Sequence, residues 1–353
     1  MTFDPVSVVF LFIGFQSVLF SLFLIASQGQ KKLSNWLLAG FLVTLASQMV
    51  GLLIEFSFQD SDFILGYMCI FGYTYGPLLY LYTVSLINKN FVWQKLYLIH
   101  FVPPFLFLFS AVVGYPLCMR IGSLLYLSLV VYISMAIIEI RKYRKVVAQT
   151  QSANQQIDLN WLQWTMIIFC LILFSDIIDR FLIDLDFIYG ISLVHFALLF
   201  LVNWIFYKGL KQPQLFQGIT KEEKLLVTDI LTDPLMDEEA HSLTIRLKDY
   251  MEEEQPFTNA DLTLNELSLQ LQISPRRLSR VINSNLQLNF IGFINSYRIE
   301  MAKERLANPK DAKETVLEVL YEVGFKSKSS FNTLFKQQTG QTPTAYKKSK
   351  SNY

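Results

Sequence analysis

Two short runs carry the chemistry of this 353-residue chain. The first is I-S-P-R-R-L-S-R-V-I-N at residues 273–283. Ser274 suits a helix N-cap and Pro275 the first helical position. Leu278, Val281 and Ile282 share one side of the helix that follows, which leaves Arg276, Ser279, Arg280 and Asn283 facing outward. Arginine bonds bidentately to guanine, and short polar side chains reach bases or phosphates, so this outward face suits the major groove of DNA. The second run lies about fifty residues on. Ser327 is its expected N-cap, and Phe331, Leu334 and Phe335 anchor the helix. Lys328, Ser329, Asn332, Thr333 and Lys336 are left outward.

Each run needs a partner helix to hold it. Leu264, Leu267 and Leu271 make one apolar face before the first run, and Ile273 closes the turn. Val319 and Val323 do the same before the second, with Gly324 permitting the turn and Phe325 closing it. Both runs therefore read as the second helix of a helix-turn-helix. Between them, residues 290–307 read as one helix with the stripe Phe290, Phe293, Ile294, Tyr297 and Met301. At ~1.5 Å per residue it is roughly 27 Å long. A rigid helix of that length suits two readers in successive major grooves, which lie about 34 Å apart. Gly340, Pro343 and Tyr346 end the segment.

Residues 264–347 resemble the C-terminal domain of the AraC/XylS family of bacterial transcription regulators. The motifs that carry the resemblance are I-S-P-R-R-L-S-R, the F-I-N-S-Y-R-I-E-M-A linker helix and the closing V-G-F-K-S-K-S-S-F-N-T-L-F-K-Q-Q-T-G-Q-T-P-T-A-Y. The resemblance implies base contacts at Arg276, Ser279 and Arg280 and at Lys328, Ser329, Asn332 and Thr333. Ser268 and Leu320 stand where the family usually has alanine, and Lys347 where arginine often follows the tyrosine. The resemblance covers about a quarter of the chain; the seven-span half resembles that of membrane-anchored members of the family by hydropathy alone, with no residue motif to carry it.

That remainder is greasy. Of all residues 52% are hydrophobic, and mean hydropathy is +0.36. A span needs about 20 mostly apolar residues. Seven stretches qualify, near 6–27, 36–58, 63–86, 96–114, 119–140, 162–183 and 187–207. Only helices fit, because backbone groups in lipid must bond internally. Lys31, Lys32, Lys89, Lys95, Arg141, Lys142, Arg144, Lys145, Lys208 and Lys211 fall on one side of the spans, against Arg120 and Arg180 on the other. The positive-inside bias puts the N-terminus outside and the C-terminal part in the cytoplasm. The start of the chain has no basic region before its apolar run and no small-residue cleavage site, so it resembles a retained first span. Trp36, Trp93, Trp161, Trp164 and Trp204 all lie near expected cytoplasmic ends, as an interfacial belt would. Gly76-Pro77 suggests a kink in the third span.

The net charge of +1 is unevenly distributed. Residues 1–207 hold 10 Lys/Arg and 10 Asp/Glu, residues 208–256 hold 6 and 11, and residues 257–353 hold 14 and 8. A neutral membrane block, an acidic connector and a basic end follow. Asp233-Pro234 breaks any helix in the connector, and Leu243, Leu247, Tyr250 and Met251 then give it a short amphipathic helix.

The expected fold is all-α. A polytopic seven-helix transmembrane domain fills 1–207, an acidic cytoplasmic linker 208–256, and an AraC-type DNA-binding domain 257–353. The sixth span holds Asp176, Asp179 and Arg180 on one face, and His195 in the seventh can share their region. Ionisable groups at that depth are costly and mark either a structural ion pair or a sensing site. Cys69, Cys118 and Cys170 show no metal or disulfide spacing. With three histidines in all, no glycine-rich phosphate loop and no nucleophile motif, no enzyme, metal or cofactor is expected. The expected function is a one-component transcription regulator in the bacterial inner membrane, modulated through its spans. The alternatives are a transporter- or enzyme-like membrane domain fused to a regulator, and a passive anchor. Expected partners are double-stranded DNA and the lipid bilayer, then RNA polymerase, a second copy of the chain, and a small-molecule or envelope signal.

Overall fold

The computed structural model describes residues 5–27, 32–57, 62–115, 117, 124–151, 159–178, 193–215, 219, 237–311 and 314–351. Every regular element among them is helical. The chain divides into two compact units. One comprises residues 1–142 and 159–218, the other residues 143–158 and 219–353.

All seven apolar stretches contain helix. α1 is Pro5–Ala26, α2 Lys32–Ser57 and α3 Asp62–Ile87. A 3₁₀ helix, Lys95–Phe101, leads into α4, Val102–Val112, whose second and third residues are Pro103 and Pro104. Proline fits a first helical turn because the N–H it lacks would have no partner there. α5 is Leu124–Thr150, α6 Asn160–Ile178 and α7 Leu193–Leu215. Four described segments are long and apolar enough to cross a membrane: Ser7–Ala26, Lys32–Ile54, Lys95–Val112 and Leu124–Thr150. α1 is apolar on every side, with Phe12, Phe15, Leu22 and Phe23 exposed and Phe10, Ile13 and Leu24 buried. A helix of that kind belongs to a deep core or to lipid.

The first unit is pinned by aromatic side chains and by close helix approach. Phe41 of α2, Tyr75 of α3 and Phe169 of α6 meet edge to face, with centroids 5.5–5.6 Å apart. All three are buried, and the Tyr75 hydroxyl donates to Gln48. Ser85 of α3 donates to Ser34 of α2 at 2.9 Å, and Trp204 of α7 donates to Thr165 of α6 at 3.1 Å. A Cβ on Gly76 would lie 2.7 Å from the Tyr132 ring, so glycine lets α3 and α5 approach just ahead of Pro77. Lys32 and Lys208 stand over Trp36 and Trp204 at 5.4 and 4.8 Å, a cation–π pairing at two of the five tryptophans.

The second unit contains the C-terminal helices. α8 is Asp237–Glu253, α9 Leu264–Gln270, α10 Pro275–Arg280, α11 Phe290–Ala307, α12 Val316–Glu322, α13 Lys328–Thr339 and α14 Pro343–Ser351. Two apolar cores form. Leu247 and Met251 of α8 join Leu264, Leu267, Leu278, Ile282, Phe290, Phe293 and Ile294 in the first. The amphipathic helix of the connector thus packs on the first helix pair. The second core takes Ile299, Ala302 and Leu306 from α11 with Val319, Leu320, Phe331 and Phe335. α11 therefore buries two faces, one toward each pair, where the sequence suggests a single stripe.

Arg298 of α11 joins the two halves. It is 1% exposed, and it donates to the carbonyls of Phe257 at 2.7 Å and Asn259 at 2.9 Å. Burial pushes its guanidinium down to about 10, with Asp261 pulling the other way, so it stays charged at neutral pH. Gly324 lies on the same spot with φ +92°, and a Cβ there would sit 2.6 Å from the Phe257 carbonyl oxygen. Gly324→Ala should cost about 1–3 kcal/mol through that clash and the left-handed backbone. Arg298→Met should cost a similar amount, about 1–3 kcal/mol, by stranding two buried carbonyls. Amide exchange across residues 257–351 of the full-length protein checks both. Unchanged protection in either variant would remove that residue from the account.

Candidate nucleic-acid interface

Two helix pairs, α9–α10 and α12–α13, are built to one plan, offset by 52 residues at their openings. Thr263 caps α9 and Thr315 caps α12, and each hydroxyl accepts from the backbone N–H three residues on, at 3.2 Å. Glu266 and Glu318 reach back to the capping residues' N–H groups, which completes two capping boxes. Each first helix ends with the same turn. The Ile273 N–H donates to Ser268 and the Phe325 N–H to Leu320, both at 3.0 Å, the six-to-one bond of a Schellman turn. The residue with positive φ is Gln272 in one and Gly324 in the other. Ser268 and Leu320, the two departures from alanine, are both fully buried, and Leu320 belongs to the second core.

The second helices differ. Ser274 caps α10, its hydroxyl accepting from the Arg277 N–H at 3.3 Å, and Pro275 takes the first position. α10 then passes into one π-helical turn, Val281–Asn285, instead of continuing as α-helix to Asn283. Leu278, Val281 and Ile282 are buried in the core as their spacing requires. Arg276 is half-buried and Asn283 turns back, donating to the Ser279 carbonyl at 2.8 Å. Ser279 and Arg280 lie on the face expected to be outward, yet they are only 2% and 9% exposed. α13 matches its sequence pattern more simply. Phe331 and Phe335 are fully buried, while Lys328, Ser329, Thr333 and Lys336 are exposed and Asn332 is half-buried. Ser327 precedes α13 without a side-chain cap bond. Gly340, at φ +76°, ends it, and α14 packs Tyr346 against Phe335. Lys347 donates to the Glu314 carbonyl, so it ties α14 back to the segment before α12.

Several polar residues here do not stand out in the sequence. Arg277, next to Arg276, pairs with Glu239 of α8 at 3.0 Å. Lys326 in the second turn pairs with Asp261 before α9. Arg305 pairs with Glu314 and with Glu322 at 2.7 Å. Their partners are 9 to 65 positions away in sequence, beyond the reach of any helical spacing rule. Among the sensing candidates, Asp179 and Arg180 lie outside the described residues. Asp176 falls in the last turns of α6 and His195 in the first turn of α7, and their side chains lie outside what is described as well. Among the described residues no group of His, Cys, Asp or Glu could hold a metal ion.

Comparison with known proteins bears on this geometry. Residues 267–349 match the model of a helix-turn-helix domain family. The C-terminal segment is an AraC-type helix-turn-helix domain. An uncharacterized HTH-type transcriptional regulator of Staphylococcus aureus (strain COL) is 38% identical over 87 residues. The uncharacterized HTH-type transcriptional regulator YtdP of Bacillus subtilis (strain 168) is 32% identical over 91. These matches cover 25% and 26% of this chain but only 11% of either relative. No solved structure matches the chain. The AraC-type domain supports a DNA-binding regulator.

The capping box of α12 sets a pH limit on the AraC-type domain. The Glu318 carboxylate accepts from the Thr315 backbone N–H and hydroxyl, which holds it below its ordinary 4.5. A carboxylate depressed on folding stabilises fully above its unfolded value and loses that contribution as pH falls through the folded one. Amide protection in the first turn of α12 should therefore fall below about pH 4.5. Glu318→Gln should start lower and stay flat over the same range. A wild-type profile that is also flat would show that the box contributes nothing.

Proposed function

We propose that the chain is a membrane-integral one-component transcription regulator. Both helix pairs of its AraC-type domain read DNA, and the apolar helices hold that domain at the cytoplasmic face of a bacterial inner membrane. The observation that carries the reading is the union, in one chain, of an AraC-type domain with a block of seven apolar helical stretches. Four of those stretches are long and apolar enough to span. The charge pattern supports it, since ten of the twelve lysines and arginines that flank the stretches fall on the side expected to carry the DNA reader, against Arg120 and Arg180 on the other.

Each pair has a distinct share. α13 offers Lys328 and Lys336 to phosphates and Ser329, Asn332 and Thr333 to base edges. α10 offers Arg276, Ser279 and Arg280, and the π turn after it Asn283. Charge on the domain, 14 basic against 8 acidic residues over 257–353, draws it to any duplex, and the base contacts select among sequences. A signal received among the spans shifts activity only by stabilising one of two states of this reader more than the other. Asp176, Asp179, Arg180 and His195 are the candidates for receiving it.

The test is DNA binding by the full-length protein in lipid nanodiscs as salt is varied. Lys328→Ala with Lys336→Ala should weaken binding to all duplexes and reduce the slope of log K against log salt by about 0.9 for each phosphate no longer neutralised. Arg276→Ala with Arg280→Ala should instead relax sequence preference, by about 1–3 kcal/mol for each base no longer read. Equal salt slopes for wild type and the lysine variant would remove α13 from the interface. Extraction of the protein from membranes by carbonate alone would remove the spans.

A further inference from the structure

One polar pair stands out among the apolar helices. Gln16 lies midway along Ser7–Ala26, one of the segments long and apolar enough to span. Its amide donates to the Asn203 side chain of α7 at 2.6 Å and accepts from it at 3.2 Å. Asn203 gives an N–H to the Leu199 carbonyl as well, one turn back, at 2.9 Å. Further along, the Phe20 and Phe206 rings stack at 3.7 Å, and Phe23 meets Phe206 edge-on at 5.7 Å. α1 and α7 therefore lie side by side and run in the same direction, and both belong to one compact unit.

The pair is not enclosed. Asn203 is exposed and Gln16 half-buried. Asn203 belongs to a stripe on α7, Phe196, Phe200, Asn203 and Tyr207, spaced by four, three and four residues, and every member is exposed. On α1 the exposed Phe12 and Leu19 lie one turn either side of Gln16. In water an exposed amide pair is ordinary. In lipid an amide group without a partner is costly, because nothing around it can hydrogen-bond. Gln16 carries two N–H donors and uses one, and each side-chain oxygen of the pair accepts one bond where it has room for two. Among the described residues nothing else meets these groups. A lipid chain offers neither donor nor acceptor. α1 holds no charged residue, so the face asks for no counter-charge. It asks for a donor and an acceptor at its own depth.

We propose that the α1–α7 face is where two copies of this chain associate within the membrane. A second copy presents the same pair at the same depth, with the same spare donor and the same spare acceptors. A two-fold axis along the membrane normal brings each Gln16 N–H to an oxygen of the other pair, so both sets of groups are satisfied by one symmetric contact. The aromatic stripe of α7 packs beside it, and the single polar residue within the stripe fixes the register, as a lone asparagine does in a coiled coil. The proposal rests on the reading that the apolar helices span a bilayer, and it names the partner that meets them there.

Energy transfer in liposomes tests it. The full-length protein, fused after Tyr353 to a donor or an acceptor fluorescent protein, is diluted stepwise with lipid. Wild type should associate, and Gln16→Leu with Asn203→Leu should need at least tenfold more protein per lipid to reach half-association. A second measurement leaves the amide pair intact. In a chain with Cys69, Cys118 and Cys170 changed to Ser, Phe200→Cys should cross-link two copies on oxidation. Val131→Cys, at an exposed apolar position of α5, should not. The proposal is overturned if wild type stays monomeric at every ratio, if the leucine variant associates as wild type does, or if Val131→Cys cross-links as readily as Phe200→Cys. Carbonate washing of the same liposomes separates the two readings. Protein released by carbonate would take the membrane-integral reading down together with this one. Protein retained but monomeric would overturn the association alone.

Discussion

The buried charge of Arg298 is the constraint on which the C-terminal unit depends. A guanidinium out of water is costly unless every donor finds an acceptor. Here the acceptors are the carbonyls of Phe257 and Asn259, in the turn between α8 and α9, with Asn295 beside them at 3.4 Å. Satisfying the arginine therefore fixes that turn against the middle of α11. Gly324 packs on the same carbonyls, which fixes the second pair to the same point, and the Phe325 ring stands 5.7 Å from the guanidinium. One cation thus sets the relation between two cores that, among the described residues, share only α11. Lys326 and Asp261 add an ion pair across the same junction, but it is exposed and adds little beside the buried bonds.

Much of this was legible because it is local. Capping residues, the proline at the first position of α10 and apolar spacing are written within a few residues of where they act. α11 begins and ends at the expected Phe290 and Ala307. The apolar stretches of the N-terminal half were legible for an equally local reason, since 20 or so apolar residues are the length and composition of a helix that would satisfy its own backbone in lipid. The fourth stretch differs in opening with a 3₁₀ turn, because Pro103 and Pro104 have no N–H to continue a helix begun at Lys95.

What was not legible is non-local. Nothing in S-Y-R-I-E marks Arg298 as the buried residue, since its acceptors lie 39 and 41 positions earlier. The second buried face of α11, with Ile299, Ala302 and Leu306, is visible in the sequence only once a partner is known to lie there. The cover on Ser279 and Arg280 is the strongest case. Helical phase puts both residues opposite the core, but phase describes one helix and says nothing of what packs beside it, such as α8, whose Glu239 pairs with Arg277 and whose Thr244 meets Asn285.

The length of α11 has a consequence for the partner and not only for the protein. Its 18 residues form a rod near 27 Å, stiffened by two cores and by Arg298, while one turn of straight duplex repeats near 34 Å. A rod so braced does not stretch to meet the groove, so on the proposed reading, with both pairs seated, the duplex would curve toward the protein. The work of curving depends on the base steps lying between the two grooves, where flexible pyrimidine–purine steps yield and stiff A-tracts resist. Selection would then extend to base pairs that no side chain touches, and the stiffness of one helix would be recorded in the sequence of the DNA.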